Sequence, residues 1–262
     1  MAKAQYIGVS GVARKVKKNY IGVSAVARKV KKGYIGVGGV ARQYFAGETP
    51  ISSLAVGGTV QVAENGTPVD YIIVQIGTPN SNYLNADGYW LLRKTLDWKG
   101  KFAYDGDGDD LADYGHSYAD SYVHAAENSY YNRYGSKLKS LILSPSLPYY
   151  ADYNAAYKGT ITRNVFHLGN YEVNGYRSYN NEGVLTYFAN AGTSGMADPL
   201  RIAYDSSGNA QSWWLRDAYG GGAYRKSLIR ETGAIDYSSM YGTYYRPCFI
   251  VPKTAKLEDL LG

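Results

Sequence analysis

Ser212-Trp-Trp-Leu-Arg216 and Arg246-Pro-Cys-Phe-Ile-Val251 predict two buried strands, because short apolar runs of this kind are typical of strands in a core. Between them lie 29 residues, Asp217 to Tyr245, that are rich in Gly, Tyr and Ser. A long polar and aromatic loop on a rigid scaffold is a common place for recognition. The stretch therefore predicts a ligand-binding surface; the alternative is that some of its rings only cover the sheet.

The composition favours the same interpretation. The chain has 29 tyrosines against 5 phenylalanines, and 31 glycines. Tyr combined with Gly, Ser and Asn is typical of adaptable binding loops, although Tyr also favours ordinary strands. Within the 29 residues, Leu228, Ile229 and Ile235 predict an internal hairpin around Glu231-Thr-Gly233, with the apolar side chains directed inward.

Upstream, alternating and apolar runs predict further strands at 54–62, 69–76, 88–93 and 164–168. Asn65-Gly66 predicts a hairpin turn between the first two. The spacing of Val123, Ala126, Tyr130 and Tyr134 predicts a helix over 120–134 that ends near Gly135. A further short element begins at Leu138, and 183–188 is a short helix or strand. The pattern is dominated by strands, with one or two helices, and the fold class is α+β.

The N-terminal segment is a repeat with a period of 14 residues: Tyr6-Ile-Gly-Val-Ser-Gly-Val-Ala-Arg14 recurs in closely similar form at 20–28 and 34–42. Each unit predicts a strand, a two-residue turn and a second strand. Such hairpins bury little by themselves, so we expect residues 1–46 to attach the protein to other chains. A basic arm that meets nucleic acid and a solvated hairpin stack are the alternatives.

Charge is divided between the two parts. Residues 1–45 hold 10 of the 28 basic residues and none of the 22 acidic ones, so the remainder carries 18 basic against 22 acidic residues. Nucleic acid is therefore not expected as a partner of the main domain. The single cysteine, Cys248, excludes an internal disulfide framework. No apolar run is long enough to predict a membrane span, and no secretory signal is expected.

Two resemblances follow from these motifs. The repeats resemble the YIGV-x-G-VAR-KVKK repeats at the N-termini of structural proteins in phages and prophages of Gram-positive bacteria. Residues 50–253, above all Trp213-Trp-Leu-Arg216 followed by Tyr245-Arg-Pro247, resemble a domain family with a C-type-lectin-like fold, related to formylglycine-generating enzymes and found in phage tail and adhesion proteins. That family usually has a small residue where Cys248 stands, which we interpret as a packed core thiol.

The resemblance implies a virion-associated receptor-binding or adhesion protein, located in the tail or a tail fibre and made in the bacterial host cytoplasm. The same fold serves as the variable protein of diversity-generating retroelements, whose variable codons cluster near the C-terminus. Its partners would be a host surface protein or glycan, other virion proteins through residues 1–46, and further copies of the chain, with a trimer suggested only by fibre symmetry in general. A non-catalytic structural decoration or assembly protein of the tail or capsid is the alternative.

The predicted division is 1–46 for the repeats, 47–253 for the C-type-lectin-like display domain and 254–262 for a C-terminal tail. The predicted ligand-binding residues all lie in or beside the Gly- and Tyr-rich stretch: Asp217, Tyr219, Gly220, Gly221, Tyr224, Tyr237, Ser238, Ser239, Tyr241 and Tyr244.

Catalysis is not expected. Formylglycine-generating relatives depend on cysteines, and none of the three histidines has a paired metal-ligand spacing. No cofactor is expected to be required. Asp105, Asp107 and Asp109 form the one candidate metal site, for Ca²⁺, because carboxylates in a Gly-rich loop suit a hard cation. The loop departs from the EF-hand pattern at its sixth and twelfth positions, Asp110 and His116, and a solvated acidic loop is the alternative.

Overall fold

The computed structural model describes residues 49–101, 118, 121–150, 157–193, 195–218, 226–238 and 242–262, together with the backbone of six strands in the N-terminal repeats. The chain divides into two compact units, Met1–Thr49 and Pro50–Gly262. The architecture is mixed α+β, with two α-helices and mostly antiparallel strands among the described residues. None of the helices described is long and apolar enough to cross a membrane.

Each N-terminal repeat is one antiparallel hairpin. The strands are β1 Gln5–Val9, β2 Val12–Val16, β3 Tyr20–Val23, β4 Val26–Lys29, β5 Lys32–Val37 and β6 Val40–Ala46. The innermost pairs are Val9↔Val12, Val23↔Val26 and Val37↔Val40. Two residues therefore separate the strands of each hairpin, as the repeat pattern predicts.

A five-stranded antiparallel sheet organises the second unit. Its strands are β7 Thr59–Glu64, β8 Thr67–Ile76, β9 Gly88–Arg93, β14 Val165–Phe166 and β21 Cys248–Pro252, in the order β14-β21-β9-β8-β7. Asn65 and Gly66 join β7 to β8 with φ of 47° and 79°, the left-handed values that a tight hairpin turn of the predicted type needs.

Apolar cores cover both faces of this sheet. In β9, Tyr89 and Leu91 belong to one core and Trp90 and Leu92 to the other. In β21, Phe249 and Val251 alternate in the same way with Cys248 and Ile250. Burial on both faces explains why these strands are continuous apolar runs rather than alternating ones. Cys248 is fully buried, as expected for a core thiol.

The first core is closed by helices. Helix α1, Tyr122–Arg133, begins at Ser121, whose hydroxyl accepts a hydrogen bond from the His124 backbone N–H at 3.2 Å. It buries Val123, Ala126 and Tyr130, as their spacing predicts. Gly135, which the sequence predicts as the end of this helix, also directly precedes a second helix, α2, Ser136–Leu141.

The second five-stranded sheet carries the predicted recognition region. Its strands are β11 Lys99–Gly100, β17 Trp213–Ala218, β18 Lys226–Ile229, β19 Ile235–Ser238 and β20 Thr243–Tyr244, in the order β11-β20-β17-β18-β19. The hairpin β18–β19 is the one that the sequence predicts, with Leu228, Ile229 and Ile235 buried. Only the β17–β20 pair is parallel.

The remaining strands form two small sheets: β10 Thr95–Leu96 with β15 Ala203–Asp205 and β16 Ala210–Gln211, and β12 Ser146–Tyr150 with β13 Tyr157–Thr162. The predicted strand at 164–168 is shortened to Val165–Phe166, and 183–188 contains a 3₁₀ turn, Thr186–Phe188. Further 3₁₀ turns span Ile51–Ser53, Arg177–Tyr179, Pro199–Arg201 and Leu257–Leu261.

The C-terminal residues pack onto the start of the same unit. Ala255 and Leu260 are almost fully buried in the first core, and the Ile51 backbone N–H donates to the Ala255 carbonyl at 2.9 Å. Residues 254–262, set apart as a tail by the sequence analysis, are therefore part of the packed unit, because their apolar side chains complete its core.

A partly buried ionic cluster joins the helix side to the central sheet. Arg93 of β9 contacts Glu64 of β7 at 2.7 Å and Asp97 at 2.9 Å. Arg133 at the end of α1 contacts the same two carboxylates at 3.1 and 2.6 Å. The cluster fixes α1 against the edge of the sheet that β7 forms.

We expect Pro50–Gly262 to fold without residues 1–49, because the described residues of both apolar cores lie within that unit. The thermal midpoint of the truncated chain should lie within about 3 °C of that of the full chain, equivalent to less than about 1 kcal/mol.

The matched control removes residues 254–262 from the full chain. Loss of the buried Leu260 and Ala255 side chains should lower the midpoint by about 5 °C or more. A chain lacking residues 1–49 that shows no cooperative transition would contradict the division at Thr49.

Candidate functional site

Three strand ends meet at one end of the second sheet. Ala218, the last residue of β17, pairs with Lys226, the first of β18, and Lys226 pairs with Ser238, the last of β19. The connection 219–225 and the segment 239–241 therefore leave the sheet beside each other. Both lie outside the described residues, and they contain these predicted ligand-binding residues: Tyr219, Gly220, Gly221, Tyr224, Ser239 and Tyr241.

Of the other predicted residues, Asp217 is fully buried and offers no surface to a ligand. Tyr237 is partly exposed and pairs with Ser227 near the end of the sheet where these segments leave. Tyr244 is also partly exposed, but it pairs with Trp213 at the beginning of β17, so it lies at the opposite end. The Asp105, Asp107 and Asp109 site lies outside the described residues, and within those residues no group of three or more metal-ligating side chains is found.

A β-bulge places Asp217 and its neighbour Arg216 in the interior. Trp214 pairs with Leu228 and Ala218 with Lys226, so three residues of β17 lie opposite the single residue Ser227. The bulge turns the strand away from its partner, and the Arg216 backbone N–H donates to the carbonyl of Leu168 at 3.0 Å instead. The side chains of Arg216 and Asp217 are consequently 0% exposed.

Arg216 is the centre of a buried ionic network. Its guanidinium group donates to both carboxylate oxygens of Glu172 at 2.8 Å and to Glu182 at 2.6 Å. The same group donates to the carbonyls of Pro148 and His167 at 2.9 and 3.1 Å. A forked, bidentate arrangement of this kind is strong and orients both partners.

The network holds more carboxyl groups than cations. Asp217 accepts a hydrogen bond from the Asn170 backbone N–H through Oδ2 at 2.5 Å, while its Oδ1 has no hydrogen-bond partner. Burial raises the pKa of Asp217 to about 6, and burial together with the nearby Asp217 raises the pKa of Glu182 well above its ordinary value. Ionisation of both carboxyl groups would place like charges beside each other in the interior, so one proton on the pair relieves their repulsion.

The backbone around the network is fitted closely to it. Gly169 donates its backbone N–H to Glu172 Oε2 at 2.7 Å, and a Cβ at this position would overlap the carboxylate of Glu182. Tyr83 completes the shell by donating its hydroxyl to Glu172 Oε1 at 2.7 Å. The position therefore requires glycine because the carboxyl group lies where a side chain would be.

A second buried polar pair lies between α1 and the sheets. His167 Nδ1 lies 2.8 Å from Glu127 Oε1, and His167 Nε2 accepts the Arg246 backbone N–H at 3.1 Å. The ring is thus neutral, with its proton on Nδ1. Burial opposes ionisation of Glu127, but hydrogen bonds from His124 and His167 lower its pKa. With both ring nitrogens of His167 occupied, this arrangement orients the chain and leaves no free base.

An open groove of about 320 Å³ lies at the opposite end of the second sheet, where β17 begins. Tyr244 is the only predicted ligand-binding residue in its lining. The residues that the sequence analysis missed are Lys99, Gln211, Ser212, Arg230 and Glu231. Lys99 is separated from Tyr244 by more than 140 residues, and no local pattern marks it as a neighbour.

Comparison with protein-family models identifies one family. A model described as a domain of unknown function, DUF6273, matches residues 81–253. The match covers about two thirds of the chain, so the chain belongs to this family. The matched residues include the ionic network, the groove and both segments that leave the sheet. Searches of curated proteins and of solved structures found no match.

The raised pKa values of Glu182 and Asp217 predict that the stability of the protein depends on pH. The variant Glu182→Gln should change that dependence. Folding raises the pKa of Glu182 above 4.5 and that of Asp217 above 3.8. Their contribution is therefore fully present below these values and is lost as the pH rises through the raised pKa values. Each pKa unit by which folding raises a carboxyl group is equivalent to about 1.4 kcal/mol.

A glutamine at position 182 keeps a donor for Asp217 and an acceptor for Arg216 but does not ionise. In urea denaturation between pH 4 and pH 8, the free energy of unfolding of the variant should gain on that of the unchanged protein as the pH rises. A constant difference across this range would show that Glu182 carries no raised pKa.

Proposed function

We propose that this member of the DUF6273 family is a binding protein of C-type-lectin-like architecture, carried on a phage tail or tail fibre, that recognises a ligand on the surface of a bacterial host. The segments 219–225 and 239–241 form the recognition surface of this proposal. The N-terminal hairpins attach the chain to other virion proteins.

The observation that carries the proposal is the register of Ala218, Lys226 and Ser238. These three residues form one row across neighbouring strands, so the described residues that flank two segments separate in sequence lie beside each other. Binding surfaces are commonly built in this way, from adjacent connections on a rigid sheet. The two segments hold three tyrosines and three glycines in ten residues, a composition suited to adaptable contacts.

Buried side chains hold the strand ends on both sides of the first segment. Asp217 and Arg216 lie two and three residues before the first segment, and both are fixed in the buried ionic network. Lys226, which follows that segment, is also almost fully buried. The ends of the connection are thus held in place, and changes within 219–225 need not disturb the core.

The repeats support attachment to other chains. Three successive hairpins follow one another with 14-residue spacing, and residues 1–45 carry ten basic side chains and no acidic one. Their resemblance to repeats of phage structural proteins favours a virion partner. The same observation favours the second candidate, a structural decoration whose main unit binds no host ligand.

Removal of tyrosine rings from the two segments should distinguish a protein that binds a host ligand from a structural decoration. The double variant Tyr219→Ala, Tyr241→Ala should weaken binding of the labelled full chain to a responsive Gram-positive cell by about tenfold or more, the effect of removing central aromatic contacts. Tyr157→Ala, at a 44% exposed position outside this region, is the matched control and should bind as the unchanged protein does.

Thermal unfolding of both variants should match that of the unchanged protein. If the protein binds no cell in a broad Gram-positive panel but enters phage particles only when residues 1–46 are present, the structural decoration is the correct function.

Sequencing of natural variants at this locus tests the proposed diversification. Substitutions should be concentrated in codons 219–225 and 239–241, at positions templated by adenine, while codons 213–217 stay constant because Trp213, Arg216 and Asp217 are buried. Equal conservation of both groups would exclude diversification by a retroelement and leave a binder of fixed sequence.

A further inference from the structure

The groove at the beginning of β17 is lined by residues of different chemistry. Tyr244 of β20 is one of them, and it packs against the second apolar core. Lys99 is the register partner of Tyr244 on β11, and its Nζ lies 5.3 Å from the centre of the ring. Lys99 is exposed, so its ammonium group covers the ring without being held there by burial.

The turn between β18 and β19 also lines the groove, through Arg230 and Glu231. Ser212 donates its hydroxyl to Glu231 Oε2 at 2.9 Å, which ties this turn to the start of β17. Arg230 donates from Nε to Asp236 Oδ2 at 2.8 Å, a pair that is about two-fifths exposed on each side. Ser212, Glu231 and Arg230 therefore present a hydroxyl group, a carboxylate and a guanidinium group to the groove.

The charges of the groove nearly cancel. Lys99 is balanced by Glu231, and Arg230 is balanced by Asp236. A strongly anionic ligand such as a phosphate would find no net positive charge. A neutral ligand with many hydroxyl groups would find both donors and acceptors, because a hydroxyl can donate to Glu231 or to the Ser212 oxygen and accept from the terminal N–H groups of Arg230.

The residues that line the groove, and its volume, also argue against a protein epitope as the ligand. Protein interfaces depend on apolar and aromatic side chains that fill pockets in a dry centre. In this groove the one aliphatic side chain of size, Leu228, is 1% exposed and offers almost no contact area. The volume of about 320 Å³ lies at the lower end of the roughly 300–1,000 Å³ typical of small-ligand sites.

We propose that this groove binds a neutral pyranose unit of a glycan, with one face of the sugar against the Tyr244 ring and its hydroxyl groups on Glu231, Arg230 and Ser212. The C–H groups on a sugar face carry partial positive charge and suit the negative face of an aromatic ring; Lys99 moves aside to admit them. This inference rests on the proposed function, because the sugar would belong to the host surface, and it goes beyond that function by adding a second binding site at the opposite end of the sheet from 219–225 and 239–241.

Binding of the labelled full chain to whole Gram-positive cells, before and after two treatments, tests the inference. Periodate cleaves the vicinal diols of sugars, and proteinase K removes surface proteins. We expect periodate to abolish binding and proteinase K to leave it unchanged. The same protein on an array of neutral bacterial and host-type oligosaccharides should identify at least one bound sugar.

Variants connect this binding to the groove. Tyr244→Ala should weaken binding by about tenfold, and Glu231→Gln, which loses a charged acceptor, by a smaller factor. Tyr244→Phe keeps the ring and should bind nearly as well as the unchanged protein, so it controls for folding together with thermal unfolding of each variant. Tyr157→Ala again serves as the exposed tyrosine outside the groove.

The possible failures are distinguishable. Binding that is lost with proteinase K but resists periodate, or that is unaffected by Tyr244→Ala, overturns the glycan inference and leaves the recognition function standing. An absence of binding to every cell and every sugar overturns the recognition function and the glycan inference together.

Discussion

The bidentate contact between Arg216 and Glu172 is the interaction on which the rest of the second unit depends. It lies where β17 leaves its regular register, and it reaches carbonyl groups of β12 and of the chain beside β14. Burying one cation among three carboxyl groups costs desolvation energy, which is recovered only when the geometry is nearly complete. Removing Arg216 would leave the carboxyl groups without their cation. The cost explains the tight fit around the network, including the glycine at 169, and the raised pKa values of Glu182 and Asp217.

The network also explains how a long irregular segment can be buried. Among the described residues from His167 to Ile202 the only regular elements are short 3₁₀ turns, yet many of these residues are buried. Backbone groups in that position must find partners other than a helix or a sheet. Arg201 supplies four such contacts, donating to the carbonyls of Gly233, Val173, Gly192 and Met196. Asn174 donates in the same way to the carbonyl of Ala191, whereas the side-chain oxygen of Asn170 accepts from the Tyr176 backbone N–H. Buried polar side chains thus replace regular secondary structure here.

These features mark the limit of what the sequence predicts. The strands of the central sheet, helix α1, the Asn65-Gly66 turn and the hairpin around Gly233 follow from local periodicity and turn chemistry, and the structure has them all. The polar interior does not follow, because its partners are far apart: Arg216 lies 34 residues from Glu182 and 44 from Glu172. From the sequence, Asp217 is placed in the recognition region because it begins the Gly- and Tyr-rich stretch, and an acid beside an apolar run ordinarily indicates a surface. Only the bulge, which no local pattern reveals, turns it inward. Tyr244 was identified in sequence, but the side chains that share its groove come from other turns and strands.

The two ends of the second sheet differ in how they tolerate change. At the end where Ala218, Lys226 and Ser238 pair, Asp217 and Lys226 are buried, whereas Tyr237 is partly exposed. At the other end, the groove residues are tied to one another and to the sheet by the pairs Ser212–Glu231, Arg230–Asp236 and Lys99–Tyr244. A substitution in a connection alters one contact, whereas a substitution in the groove breaks a pair. Under the proposed function, specificity for different hosts would therefore evolve through the connections, while the groove would keep a chemistry common to many of them.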